Sequence, residues 1–172
     1  MTDLVIRSGV PADAEALESL IRTHQEEGHL LPRDLDDIRR HAARFVVCET
    51  GGVIRACAEL APLSASLAEV RSLVVSRDFR RVGLAARLVE EVRQRGIEAG
   101  FETICAFTHD ARFFVRQNFS IVPHLWLPHK IAKDCVRCPF FRRCAQHAMV
   151  LPLKEIARYG AAGTQPSHVA VA

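Results

Sequence analysis

The residues best suited to chemistry form one run, Arg71-Ser-Leu-Val-Val-Ser-Arg-Asp-Phe-Arg-Arg-Val-Gly-Leu-Ala-Ala86. It reads as a buried strand (Leu73 to Val75), a basic turn (Arg77 to Val82) and a helix opening at Gly83. A strand that delivers a Gly-containing basic turn to a helix N-terminus makes an anion site. Unpaired backbone N–H groups and the positive end of the helix dipole face whatever binds there. Arg80, Arg81, Val82, Gly83, Leu84, Ala85 and Ala86 line it on this reading. No Gly-Lys-Ser/Thr follows the glycine, so this is not a Walker loop. The three-glycine spacing of a dinucleotide fingerprint is also missing. A solvated basic turn capping an ordinary helix is the plain alternative; the strand before and the amphipathic helix after favour the anion site.

A second cluster lies near the C-terminus. Cys135-x-x-Cys138 followed by Cys144, flanked by His129 and His147, offers three thiolates and an imidazole, enough for a structural zinc site. The alternative is a reduced, partly buried loop whose cysteines pack or take part in redox chemistry. Arg137, Arg142 and Arg143 surround the cluster, but Phe140 and Phe141 are its only interleaved aromatics, which argues against a nucleic-acid knuckle.

The 172 residues suit one domain with at most a small appendage, and 49% apolar content supplies a sizeable core. A net charge of +3 is too mild for a nucleic-acid partner and suits an anionic cofactor and an acidic substrate. No signal peptide or membrane-length apolar run is present, so a cytoplasmic protein with reduced cysteines and no membrane partner is expected. Cys48, Cys57 and Cys105 sit inside strand-like apolar runs and read as core.

The elements that must position these groups follow from periodicity and breakers. Leu4 to Ile6 is a strand. Helix 1 begins around Pro11 to Asp13, with Ala14, Leu17, Leu20 and Ile21 on one face. After a link broken by Gly28 and Pro32, Asp34 caps a second helix running to about Ala43. Phe45 to Cys48 and Val53 to Leu60 form a hairpin about Thr50-Gly-Gly52. Glu69 to Val75 is a strand, and Gly83 to about Ala99 a helix stopped by Gly100. Thr103 to Phe107, Phe119 to Val122 and Met149 to Leu151 are strands, the last closing the sheet; Ala111 to Gln117 is a short helix. The predicted organisation is a domain over 1–153, with a Cys/His-rich insertion over 126–147, and a flexible tail over 154–172.

Arg80-x-x-Gly83-x-Ala85 after an apolar strand resembles the pyrophosphate loop of GNAT-superfamily N-acetyltransferases, and the element order matches that fold over roughly residues 3 to 153. The resemblance implies an α+β architecture, a mixed and mostly antiparallel sheet flanked by helices, with acetyl-CoA as co-substrate. Gln25-Glu-Glu-Gly-His-Leu-Leu-Pro-Arg-Asp34, Ala68-Glu-Val-Arg-Ser-Leu73, Phe113-Phe-Val-Arg-Gln-Asn-Phe119 and Leu127-Pro-His-Lys130 look like the short-form bacterial N-acetylglutamate synthases, which lack an amino-acid-kinase domain. Asp134-Cys-x-x-Cys-Pro139, Cys144 and Ala148-Met-Val look like the same group. The implied reaction moves acetyl from acetyl-CoA to the α-amine of L-glutamate in a ternary complex, the first step of arginine synthesis. GNAT domains also often form homodimers.

That chemistry has residue-level requirements. An α-ammonium must lose a proton before it attacks a thioester, and Glu69 is the candidate base, with a carboxylate merely paired to Arg71 as the alternative. On a regular strand Glu69, Arg71 and Leu73 share one face, although GNAT folds carry a bulge here that disturbs the parity. The resemblance gives backbone N–H groups near Leu73, Val74 and Val75 the task of polarising the thioester carbonyl. It also puts Arg7, Arg33 and Arg71 where basic residues face the substrate carboxylates, with at least one of them expected to be structural only. Val82 stands where many relatives have Gln, Arg or Lys. Asn118 stands where Gly is usual, and Asn tolerates a left-handed backbone. A Tyr often protonates the leaving thiolate, but the chain's only Tyr is Tyr159 in the tail; His109, after Thr108, is the candidate donor, or the thiolate leaves unassisted. Two readings from the same loop stay open: acetylation of another small amine, and a non-catalytic CoA-binding module.

Overall fold

The computed structural model describes residues 3–25 and 30–154. Gly28 and the expected tail beyond Lys154 lie outside them. Strand β1 (Val5–Ser8) leads through a 3-10 turn, Pro11–Asp13, into α1 (Ala14–Gln25). Pro11 pre-sets the turn, and Asp13 folds back to accept from the Val10 N–H. Helix α2 (Leu35–Arg40) is capped by the Asp34 carboxylate, which accepts from the Asp37 N–H. Next come β2 (Phe45–Thr50) and β3 (Val53–Pro62), joined by Gly51 at φ 57° and Gly52 at φ 75°, the left-handed pair that a tight two-residue hairpin requires. Strand β4 (Leu67–Val75), helix α3 (Leu84–Glu98), strand β5 (Thr103–Thr108), helix α4 (Ala111–Arg116) and strand β6 (Ser120–Val122) follow. The chain then forms α5 (Pro128–Lys133) and two 3-10 turns before β7 (His147–Pro152).

These strands make one sheet of seven in the order β1-β2-β3-β4-β5-β7-β6. Only β4 and β5 run parallel; every other neighbouring pair is antiparallel. The expected mixed, mostly antiparallel α+β sheet is therefore present. One expectation needs correcting. Rather than closing the sheet, β7 slots between β5 and β6, which leaves β6 at the edge. Chain order alone does not distinguish these two placements.

Helix α3 covers one face of the sheet through Leu84, Leu88, Val89 and Val92, packed on Ala58, Val70, Ile104 and Met149. The other face carries Phe45, Val47, Cys57 and Val74 under α1 and α2, and Leu67, Cys105, Val122 and Ala148 under Leu127. Cys48, Cys57 and Cys105 are fully buried, as their apolar neighbours indicate. Asn118 does adopt the left-handed conformation, at φ 66°. No helix among the described residues is long and apolar enough to cross a membrane.

At the end of β1, Gly9 donates to the Phe45 carbonyl at 2.9 Å, and an added Cβ would stand 2.6 Å from the Ala42 carbonyl oxygen. Backbone cannot yield as a flexible side chain does. Gly9→Ala is therefore expected to lose about 1–3 kcal/mol of stability, the usual range for overpacking, read as a lowered urea midpoint.

Candidate active site

The site is organised by two irregularities in β4. First, Cys57 of β3 pairs with Val74 and Glu59 with Arg71, so Ser72 and Leu73 together face the single residue Ala58. Ser72 absorbs the extra residue at φ 51°. This bulge breaks the alternation. Glu69 and Arg71 stay on the face of α1, α2 and α5, while Leu73 and Val75 turn toward the α3 side. Second, β4 pairs with β5 only from Leu67 to Glu69, opposite Thr103 to Cys105. Past that point the strands share no register, and backbone groups of Val70 to Val75 on that edge have no strand partner. A splayed pair of this kind can accept an extended ligand through main-chain hydrogen bonds.

At the open end of the splay lies the basic turn. A 3-10 turn, Arg77–Phe79, runs into Arg80, Arg81 at φ 66° and Gly83 at φ 80°. Gly83 is the N-cap of the 15-residue α3 and provides no side-chain cap to its first turn. Left-handed residues beside the uncapped N–H groups of Leu84, Ala85 and Ala86 make the kind of backbone arrangement that suits an anion. Arg80 Nε donates to the Val75 carbonyl at 3.1 Å, and His24 Nε2 lies 2.9 Å from the same oxygen. The turn is thereby tied both to β4 and to the end of α1. Val82 is exposed on its rim. His109 follows β5 on the surface at the same end, because parallel strands finish together.

On the α5 side of the splay, four charges close a ring. Glu69, only 4% exposed, accepts from Arg71 Nε at 3.0 Å and Nη2 at 2.7 Å, and from Lys130 Nζ at 2.8 Å. Asp134 accepts from Arg71 Nη2 at 2.7 Å and Lys130 Nζ at 2.9 Å. Lys130 Nζ also sits 5.4 Å from the centre of the Phe107 ring, which packs on His124. Pro128 opens the single turn and a half of α5, placing Lys130 and Asp134 one turn apart on one face. Lys130 and Asp134 lie inside runs that resemble the synthases, yet sequence reasoning gave neither a role. Their spacing of four, behind a proline, was the available signal.

The three arginines separate. Arg71 belongs to the ring. Arg33 is brought nearby and is engaged by the protein's own side chains. Its Nη1 donates to Glu59 at 2.7 Å and to the Ser72 hydroxyl at 2.8 Å, and its Nη2 donates to Asp37 at 3.1 Å. Glu59 is 2% exposed, so Arg33 neutralises a buried carboxylate and pins the bulge. Arg7 is not brought there at all. It sits on β1, three strands from β4, with its guanidinium held by Asp13 and Glu49. The Asp13 hydrogen bond, then that from Glu49, raises its already high pKa.

The zinc expectation is also corrected. Among the described residues no group of three or more His, Cys, Asp or Glu side chains is placed to hold a metal ion. Cys135 and Cys138 stand at the ends of one short turn and Cys144 ends the next, all three as free thiols.

Comparison with known proteins identifies the family and the fold. Residues 13–119 match the Acetyltransferase (GNAT) family. An uncharacterized N-acetyltransferase of Chlorobaculum tepidum is 32% identical over 151 residues, which cover 88% of this chain and 97% of that protein. The amino-acid acetyltransferase of Azotobacter vinelandii is 32% identical over 116 residues, 66% of this chain but only 27% of that protein. The chain thus spans about a quarter of the length of such relatives. Among solved structures, N-acetylglutamate synthase from Neisseria gonorrhoeae, complexed with coenzyme A and N-acetyl-glutamate, superposes with a TM-score of 0.78 at 24% identity, over 89% of this chain and 36% of that one. A Mycobacterium tuberculosis protein in complex with CoA gives 0.74 at 20% identity, over 87% of this chain and 99% of that one.

Two expectations follow. Arg33→Ala strands Glu59 in the interior and should cost about 3–5 kcal/mol, whereas Arg7→Ala, in pairs that remain partly exposed, should cost about 1 kcal/mol or less in the same urea titration. The second concerns acid. Burial works to raise the pKa of Asp134, but the Lys130 hydrogen bond and the charges of Lys130, Arg71 and Lys133 hold it below the ordinary 3.8. Asp13 is lowered as well, first by its hydrogen bond from Arg7. Depressed carboxylates contribute stability above their unfolded pKa and lose it as pH falls through the folded one. The urea midpoint should therefore drop below about pH 4, and Asp134→Asn should make that drop shallower.

Proposed function

This chain belongs to the acetyltransferase (GNAT) family, and we propose that it transfers acetyl from acetyl-CoA to the α-amine of an acidic amino acid, L-glutamate first among them. Such a product is the opening intermediate of arginine synthesis. The observation that carries the reading is the Glu69–Arg71–Lys130–Asp134 ring at the mouth of the β4–β5 splay. It combines two carboxylate-binding cations with a buried carboxylate at a point where a thioester can lie along the open edge of β4.

In this mechanism the diphosphate of acetyl-CoA rests on Arg80 to Ala86, and the pantetheine runs along Val70 to Val75 as a further strand. Backbone N–H groups near Leu73, Val74 and Val75 face the thioester carbonyl and stabilise the charge that builds on its oxygen. The acceptor's carboxylates take over donors on Arg71 and Lys130. That exchange releases a lone pair on Glu69, which receives the ammonium proton directly or through a water. The free amine attacks the thioester carbon, the C–S bond breaks to release the CoA thiolate, and the attacking nitrogen gives up its second proton to solvent to become the amide. His109, just after β5, is the proposed proton donor to the thiolate, with its unassisted departure as the alternative.

One observation favours a different acceptor in the same family. Arg7 and Arg33, assigned above to substrate, are engaged by the protein's own carboxylates. Arg71 and Lys130 are held by Glu69 and Asp134 as well, but they are the two cations at the mouth of the splay, and two cations there suit a smaller amino acid with a single carboxylate.

A panel of L-amino acids and simple amines, scored by release of the CoA thiol from acetyl-CoA, separates the two. Stimulation by glutamate above all others is the expected result; stimulation only by monocarboxylate acceptors would overturn the substrate assignment. Glu69→Gln should lower kcat by about 100-fold to 10,000-fold, the usual worth of a general base, with the acetyl-CoA KM little changed.

A further inference from the structure

We propose that Cys135 and Cys138 are a redox-active dithiol, closed into a disulfide by a small disulfide oxidant of the glutathione class, and that closure controls the neighbouring charge ring. The control of turnover rests on reading that ring as the acceptor site; formation of the bridge does not.

The backbone prepares the pair. Cys135–Arg137 is a 3-10 turn, and the Cys138 N–H donates to the Cys135 carbonyl at 2.9 Å. A turn closed this way holds its first and fourth Cα atoms within about 7 Å, and disulfides span roughly 4.4–6.8 Å between Cα atoms. In 3-10 geometry side chains three apart also eclipse, which brings the two Cβ vectors to the same side. Both thiols are free and half-buried, unlike the fully buried Cys48, Cys57 and Cys105. The reagent can therefore reach this pair and not the core thiols.

The surroundings divide the labour. Burial pushes the Cys135 thiol up, partly countered by the charge of Lys130, so Cys135 suits the resolving role. Cys138, at the C-terminal end of the turn, then takes the attacking role. In the first step the Cys138 thiolate attacks one sulfur of the small disulfide. That S–S bond breaks, a mixed disulfide forms, and one small thiolate leaves and takes a proton. In the second, the Cys135 thiolate attacks Cys138 Sγ and expels the second small thiolate. Two protein thiols are oxidised by two electrons, and one disulfide is reduced to two thiols.

The consequence reaches the site through one residue. Asp134 immediately precedes the pair, and its carbonyl oxygen accepts from the Arg137 N–H at 3.3 Å across the turn. Its carboxylate holds Arg71 at 2.7 Å and Lys130 at 2.9 Å. Drawing the two Cβ atoms to bonding distance reshapes the turn that Asp134 begins, and so moves an anchor of both cations.

Reduced protein is equilibrated with oxidised and reduced glutathione at a series of ratios, alkylated, digested and mapped by mass spectrometry, with acetyl transfer measured in parallel. A Cys135–Cys138 bridge is expected in the wild type and in Cys144→Ser, and a trapped glutathione adduct on Cys138 in Cys135→Ser. A bridge to Cys144, or none, overturns the dithiol. Turnover in the bridged form should fall on the order of 10-fold to 100-fold, the scale of a misplacement of about 1 Å, and return with dithiothreitol. Turnover unchanged by a mapped bridge overturns the control. Absence of acetyl transfer from the fully reduced protein counts instead against the proposed function, because the bridge is read by mass.

Discussion

Two carboxylates on one face of the central strands set the terms for everything around them. Glu59 on β3 and Glu69 on β4 are 2% and 4% exposed, and Glu59 stands directly across from Arg71. A buried carboxylate without a cation costs several kcal/mol, so the fold must bring positive charge to this face from elsewhere in the chain. It does so twice. Arg33 arrives at the start of α2 and reaches Glu59, and Lys130 arrives on α5 and reaches Glu69, while Arg71 completes the second group from within β4. The segment before α2 and the long excursion between β6 and β7 are therefore fastened to the sheet by charge as well as by apolar packing.

The bulge at Ser72 is what lets one strand serve two purposes. Upstream of it, β4 presents Glu69 and Arg71 to the α5 side. Downstream, Val74 packs under α1 and α2 while Leu73 and Val75 turn toward α3. Arg33 donates to the hydroxyl of the bulged residue itself, so neutralising Glu59 and fixing the bulge are one interaction. The splay from β5 begins just after Glu69, and the side-chain half of the site therefore ends where the backbone half begins.

This division also explains what the sequence disclosed. The turn from Arg77 to Gly83 could be read in advance because its signals are local: an apolar run, a glycine at a helix start, and a helical period after it. The hairpin at Gly51-Gly52 and the left-handed Asn118 are of the same kind. The charge groups around Glu69 and Glu59 resisted because their partners are chosen over long separations, 61 residues between Glu69 and Lys130 and 26 between Arg33 and Glu59. Arg7, Arg33 and Arg71 look alike along the chain, and only the fold reveals which carboxylate claims each. The placement of β7 between β5 and β6 is likewise a long-range choice. A glutamate inside the apolar run Ala56-Cys-Ala-Glu-Leu-Ala was the one local hint that a buried counter-charge was required.

The ring at Glu69 has a property that bears on what can enter it. Its two cations and two carboxylates sum to zero, and the ring lies against Phe107 and the fully buried Cys105. A plain amine would add an uncompensated cation to a poorly hydrated space, which is expensive. A zwitterion adds none, and in the proposed mechanism its carboxylate takes over the cations' donors while its ammonium takes their place on Glu69. An amino acid carrying a second carboxylate leaves one negative charge over, which the turn of basic residues Lys133, Arg137, Arg142 and Arg143 along the same excursion can screen. On the proposed reading, the zero net charge and the burial of the ring give a zwitterion the electrostatic advantage over a plain amine.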